Sequence, residues 1–177
     1  MPDTVYLSLG SNLGDRESHL RDAIARLASV GRVQSVSSLY ETQPVDFTDQ
    51  PWFLNCGVGL ETSVIPTRLM QQLLEIEKAM GRERVQKKGP RTIDIDILLF
   101  GDRVMNTLDL TIPHPAMQYR RFVLEPLAEI APSALHPLLK KTIEELLQEL
   151  PPNQIVKRLE SRLAADRTDT HGSKVKS

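Results

Sequence analysis

Phe53-Leu54-Asn55-Cys56-Gly57-Val58-Gly59-Leu60 alternates without interruption. Leu54, Cys56, Val58 and Leu60 share one face, and Phe53, Asn55, Gly57 and Gly59 share the other, which is the period of a half-buried strand. Downstream, Pro66 suits the first turn of a helix, and Leu69, Leu73, Ile76 and Met80 recur as its buried stripe until Gly81. Thr92 to Phe100 then reads as a strand with Ile93, Ile95, Ile97 and Leu99 on one face. Upstream, Thr4 to Leu9 alternates with Val5, Leu7 and Leu9 together, and Gly10-Ser11-Asn12-Leu13-Gly14 makes a turn. Asp15 is placed to cap a helix carrying Leu20, Ile24 and Leu27, with Gly31 at its end. Residues 32 to 40 read as a less regular strand, and Glu41 to Pro51, with two prolines and no periodicity, as a loop.

The resulting order is β-α-β-β-α-β, which predicts an α+β, ferredoxin-like sandwich with both helices on one face of an antiparallel sheet. A short β-hairpin near Val104 and Leu110 and C-terminal helices over Phe122–Ile130 and Thr142–Leu150 are added to it. Residues 1–152 are expected to form the domain, and 153–177 a charged, partly flexible tail. With the aliphatic faces turned to the helices, Ser8, Gly10, Phe53, Asn55, Asp94 and Asp96 gather on the opposite face, which this arrangement leaves open.

The 177 residues suit one domain, and 40% hydrophobic with 25% charged residues is a globular composition. Twenty-two basic and 23 acidic residues leave a net charge of -1, which excludes a surface-wide cationic footprint for duplex nucleic acid or anionic membrane. Cys56 is the only cysteine and falls on the core face, so the expectation is a buried thiol in a reducing compartment. No apolar run approaches the ~20 residues that span a bilayer. A cytoplasmic monomer is expected.

The chemistry concentrates in Lys87-Lys88-Gly89-Pro90-Arg91-Thr92-Ile93-Asp94-Ile95-Asp96-Ile97-Leu98. Residues two apart on a strand project to the same side roughly 6.6 Å apart, so Asp94 and Asp96 point together. Such a pair can hold divalent cations, and Mg²⁺ favours carboxylates combined with substrate phosphates and water. A bare D-x-D equally describes the solvated face of an edge strand. Beside it, Arg82, Arg84, Lys87, Lys88 and Arg91 stand against one acid, Glu83, a local net charge of +4 that complements a magnesium polyphosphate. The competing reading is mutual neutralisation of carboxylates and guanidiniums. Neither standard phosphate loop occurs. His114, between Pro113 and Pro115, either donates to a phosphate or has a structural role, and Phe53 and Phe122 either pack in a core or sandwich a flat ring.

Taken together, these residues resemble the 6-hydroxymethyl-7,8-dihydropterin pyrophosphokinase family. The resemblance is carried by Lys87-x-Gly-Pro-Arg-x-x-Asp-Ile-Asp-Ile-Leu98, Leu9 to Gly14, Tyr40-Glu41-Thr42 with Pro44, Gln50-Pro51-x-Phe-Leu-Asn55, Ile76-Glu77 with Gly81-Arg82, and Pro113-His114. It implies that Asp94 and Asp96 bind two Mg²⁺ ions, and that Arg82 and Arg91 neutralise the transferring group. It further implies that Asn55 with the backbone of Thr42, Pro44 and Val45 reads the pterin edge while Phe53 and Phe122 stack on its faces. Glu77, Ile97, Thr111 and His114 would contact ATP. The implied reaction transfers pyrophosphate from ATP to the pterin hydroxyl, giving AMP, with neither nucleic acid nor membrane as partner. No general base is named by this pattern; Asp96 is the nearest carboxylate.

Several positions depart from the family pattern. Lys88 stands before Gly89 where many members carry tryptophan, in a loop one residue shorter; Pro115 replaces a tyrosine, Asp109 an arginine and Phe53 a tyrosine. Two other classes compete with the enzyme reading. One is a non-catalytic ferredoxin-like domain that binds a small molecule; the other is a nucleic-acid module, which the carboxylates on the open face disfavour.

Overall fold

The computed structural model describes residues 2–42, 51–81 and 92–162. The expected site residues Pro44, Val45, Arg82 and Arg91 lie outside them, as does most of the basic loop. The chain forms a mixed α/β fold on one antiparallel sheet. In chain order the first elements are β1 (Asp3–Ser11), α1 (Arg16–Arg26), β2 (Arg32–Val36), β3 (Ser38–Thr42), β4 (Phe53–Thr62), α2 (Pro66–Ala79) and β5 (Asp94–Phe100). They are followed by β6 (Met105–Asn106), β7 (Thr111–Ile112), α3 (Arg121–Ile130), β8 (Leu135–His136), β9 (Lys141–Thr142), α4 (Ile143–Gln148) and β10 (Val156–Arg162). The main sheet runs β10-β3-β4-β1-β5, with β2 also on β4.

Asp15 caps α1 as its side-chain carboxylate accepts from Ser18 N at 3.2 Å, and Pro66 occupies the first turn of α2. The stretch read as one irregular strand is two, divided at Ser37. The Ser37 amide donates to Gly57 O, while its hydroxyl accepts from Gly57 N. The side chain thus supplies a rung that the interrupted backbone does not.

Leu7, Leu9, Leu54, Cys56, Ile95 and Ile97 meet Leu20, Leu27, Leu69, Leu73 and Ile76 in the larger core. Each fully buried aliphatic side chain contributes about 1.5–3 kcal/mol. Burial also raises the Cys56 thiol to about 12, as the buried-thiol reading requires.

The opposite face is not open along its whole length. Leu98, Leu99, Met117, Val123, Leu124, Leu127, Ile143 and Leu146 form a second core there, with Tyr6 against it. The bare Cα of Gly57 admits α3, since a Cβ would lie 3.4–3.5 Å from the Pro126 and Leu127 backbone. Leu99 therefore does not share a face with the isoleucines. Tyr6 pairs with Leu99 but Leu7 pairs with Ile97, so Leu98 is an extra residue that reverses the phase of β5.

Past Pro152 the chain adds β10 to the edge of β3, pairing Val156 with Thr42 and Arg158 with Tyr40. A polar tie secures this side. Glu129 of α3 accepts from Tyr40 Oη at 2.7 Å and from Ser38 N and Oγ at 3.0–3.1 Å, with Arg158 Nη2 3.5 Å away. Burial works against its charge, but these donors and the guanidinium outweigh it and hold the carboxyl below its ordinary value. Burial and the Glu129 contact push the Tyr40 phenol upward.

Candidate active site

Two rungs of the sheet assemble the uncovered end of this face. Gly10 of β1 lies between Asn55 of β4 and Asp94 of β5, and Ser8 lies between Gly57 and Asp96. Asp94 and Asp96 thus project on the side opposite Ile95 and Ile97, as the alternation predicts. Tyr40 and Thr42 extend the surface across β3, opposite Asn55 and Phe53.

Asn55 is 3% exposed, and its Nδ2 donates to Thr42 Oγ1 at 2.6 Å. Its Oδ1 lies over Gly10, only 2.6 Å from where a Cβ would stand. Glycine is required here for close approach. Phe53 is half-buried beside it, and Phe122 is half-buried at the start of α3 with the Arg120 guanidinium 5.7 Å from its ring centre. Phe122 also packs on the second core, so its ring serves the core as well as the surface.

On the other side of Gly10, a cavity of about 370 Å³ lies between α2, β5 and the β6–β7 hairpin. Glu77, Asp94, Asp96, Ile97, Thr111 and His114 all line it. Glu77 is 3% exposed and accepts from Ile95 N at 2.7 Å, fixing α2 to β5. The His114 amide donates to Leu98 O at 3.0 Å, anchoring the histidine loop at the β5 bulge. His114 Nδ1 accepts from Ala116 N at 3.1 Å, which leaves Nε2 to carry the proton of the neutral ring. Burial and Arg120 lower its pKa against the opposing pull of Asp94, so near neutral pH it is an uncharged donor.

The expected residues therefore separate into a carboxylate-lined cavity and, across Gly10, an amide and aromatic group of Thr42, Phe53, Asn55 and Phe122. Apolar Leu110 and Leu108 and acidic Asp109 also line the cavity, with Pro115. Leu108 had no sequence signal beyond hydrophobicity in a turn, and Leu110 was legible only as part of the short hairpin. Among the described residues no cluster of three or more His, Cys, Asp or Glu is placed to hold a metal by itself. Two carboxylates on one face match instead an ion completed by phosphate and water, the preference of Mg²⁺.

The family model of 7,8-dihydro-6-hydroxymethylpterin-pyrophosphokinase matches residues 6–132. The chain belongs to this pyrophosphokinase family. It is 50% identical over 133 residues to the 2-amino-4-hydroxy-6-hydroxymethyldihydropteridine pyrophosphokinase of Bacillus subtilis, covering 73% of this chain and 79% of that protein. The Aquifex aeolicus protein of the same name is 42% identical over 82% of this chain and 91% of its own length. The Schizosaccharomyces pombe folic acid synthesis protein fol1 is 43% identical, but the chain covers only 20% of it. Among solved structures, Plasmodium falciparum HPPK-DHPS aligns at a TM-score of 0.69 with 18% identity, over 84% of this chain and 42% of that one, a likeness of fold alone. Within the pyrophosphokinase family, the Asp94–Asp96 cavity and the Asn55 group fall inside the matched span.

Proposed function

We propose that this chain transfers pyrophosphate from ATP to the hydroxyl of 6-hydroxymethyl-7,8-dihydropterin, giving AMP and the pterin diphosphate for folate synthesis. The observation that carries this reading is one rung holding Asp94, Gly10 and Asn55, which sets the carboxylate cavity against a buried amide and an aromatic ring. The cavity suits the nucleotide, with Glu77, Ile97, Thr111 and His114 as its contacts and a neutral His114 Nε2–H donating to a phosphate oxygen. Asn55 and Thr42 with Phe53 and Phe122 suit a flat heterocycle bearing an amide edge. Pro44 and Val45 are assigned to the same pterin site, and Arg82 and Arg91 to the phosphates, on the family pattern.

The pterin hydroxyl oxygen attacks the β-phosphorus; the bond from that phosphorus to the oxygen bridging to the α-phosphate breaks, AMP leaves and the hydroxyl proton is released. Asp94 and Asp96 would hold two Mg²⁺ ions, which when bound supply charge neutralisation at the triphosphate. On this reading the residues serve chiefly to position acceptor and nucleotide against each other, which is where most catalysis of phosphoryl transfer resides. A non-catalytic binding domain has no need of paired carboxylates in a nucleotide-sized cavity.

The strand order β3-β4-β1-β5 with α1 and α2 on one face supports a ferredoxin-like core. Residues 1–152 are assigned as the pyrophosphokinase unit, with β10 as an added edge strand. No helix among the described residues is long and apolar enough to cross a membrane; a cytoplasmic monomer is the form this reading adopts. Product analysis tests the activity. AMP and pterin diphosphate are expected in equal amounts, and ADP would contradict the assignment.

A further inference from the structure

The Gly10–Gly14 turn and the start of α1 do more than connect two elements. Arg16 Nη1 donates to the Trp52 carbonyl at 2.9 Å and pairs with Glu41 Oε2 at 2.9 Å. The two partners lie 11 positions apart in sequence, at the end of β3 and just before β4. Asn12 Nδ2 adds a bond to Pro51 O at 3.1 Å, beside the same crossing. Glu41 precedes Thr42, and Trp52 precedes Phe53.

β3 and β4 pair only through Tyr40–Asn55, Glu41–Leu54 and Thr42–Phe53 before they part. The last rung therefore carries two residues of the pterin side and has no further rung beyond it among the described residues. Arg16 reaches this rung from the helix face and ties both strands to α1. Its side chain and that of Glu41 are each 29% exposed, so the pair is better shielded than Arg26–Asp22 at 42% and 48%. A guanidinium suits the task because one rigid, permanently charged group offers several donors at once. Most other cross-element pairs of the described residues join side chain to side chain alone; this one also grips backbone next to the site.

We propose that Arg16 is a positioning residue for the pterin side of the site, acting through Glu41 and the Trp52 carbonyl to hold Thr42 and Phe53 in register. This rests on the function proposed above. Arg16 is not among the residues lining the nucleotide cavity, and its role runs through its two partners. Its loss loosens the Thr42–Phe53 rung and with it the Thr42 oxygen that orients Asn55, while the nucleotide cavity, built by α2, β5 and the β6–β7 hairpin, is untouched.

Steady-state kinetics with each substrate varied, together with pterin titration in the presence of an unreactive ATP analogue, test the proposal. Arg16→Met is expected to raise the pterin KM and Kd about tenfold, the scale of one lost charge-assisted bond, while the ATP KM and kcat at saturating pterin stay within about twofold. Arg16→Lys, which keeps the charge but not the fork, is expected to fall between. Glu41→Gln, which leaves the Trp52 contact, gives a smaller rise, and Arg16→Met/Glu41→Gln is no worse than Arg16→Met because Glu41 acts only through Arg16. An unchanged pterin KM in Arg16→Met, a parallel rise in both KM values, or additive effects in the double variant would overturn the inference. A wild-type chain that neither binds nor converts the pterin would overturn the functional reading and this inference with it; an active wild type beside an unaffected Arg16→Met overturns the inference alone.

Discussion

The two ends of the sheet's outer face are built from the same strands and put to opposite uses. At one end Gly57 lets α3 descend until backbone meets strand, and Tyr6, Leu99 and Leu127 pack into the second apolar core. At the other, Gly10 admits not a helix but the amide of Asn55, and Asp94 and Asp96 take the positions that Leu99 holds further along β5. One glycine serves packing; the other makes room for a side-chain amide, to which the proposed function gives a part in recognition. The switch between them on β5 is the Leu98 bulge, whose carbonyl also anchors His114. The extra residue thus stands where the carboxylate end of this strand face gives way to its packed end.

Substitutions should respect this division. Asp96→Ala at the chemical end is expected to lower kcat by about a thousandfold, comparable to deleting a principal electrostatic stabiliser, with the melting curve little changed. Near-wild-type turnover would remove the carboxylate pair from the reaction. Leu127→Ala at the structural end should do the converse, costing about 3 kcal/mol of stability through the cavity it leaves, with both KM values preserved under native conditions. Denaturant unfolding beside kinetics separates the two patterns.

Gly10→Ala tests the border. The new methyl must displace Asn55 Oδ1, so pterin affinity is expected to fall about tenfold while ATP analogue binding changes little. Equal loss of both ligands would show that Gly10 matters for the strand rather than for the amide.

Much of this was legible in the sequence, and the gaps have physical causes. Alternation at Val5, Leu7 and Leu9, the Asp15 cap and Pro66 are local signals, and each stands where its chemistry predicts. Asp94 and Asp96 were legible as a pair on one face because charge alternates with isoleucine at the strand period. The phase reversal was hidden, since Leu98-Leu99-Phe100 is apolar on both sides and nothing local says which leucine is extra. The descent of α3 onto Gly57 is a contact between residues about 70 positions apart, so in the sequence Gly57 reads only as a member of the strand's second face. β10 lies in a charged stretch whose pairing with β3 is directed by the edge it meets rather than by its own pattern. The contact between Arg16 and Glu41 was not legible because pairing across 25 positions has no signature in either neighbourhood.

The smallest effect concerns the tie at the structural end. Glu129 is held below the ordinary 4.5, so its contribution is complete above that pH and is lost as pH falls through the lower folded value. Glu129→Gln, which keeps one acceptor oxygen, should cost about 1 kcal/mol at neutral pH and flatten the acid limb of the stability profile, leaving the pterin KM near wild type. A wild-type acid limb in that variant would detach the tie from the profile.

The division of the face into two halves, one of them chemical, is answered by where a label goes. With ATP labelled at the β-phosphorus, Mg²⁺ and 6-hydroxymethyl-7,8-dihydropterin, the label is expected in the pterin product with unlabelled AMP as the only nucleotide product. Label retained in ADP, or released as inorganic phosphate or pyrophosphate without a pterin product, would contradict it.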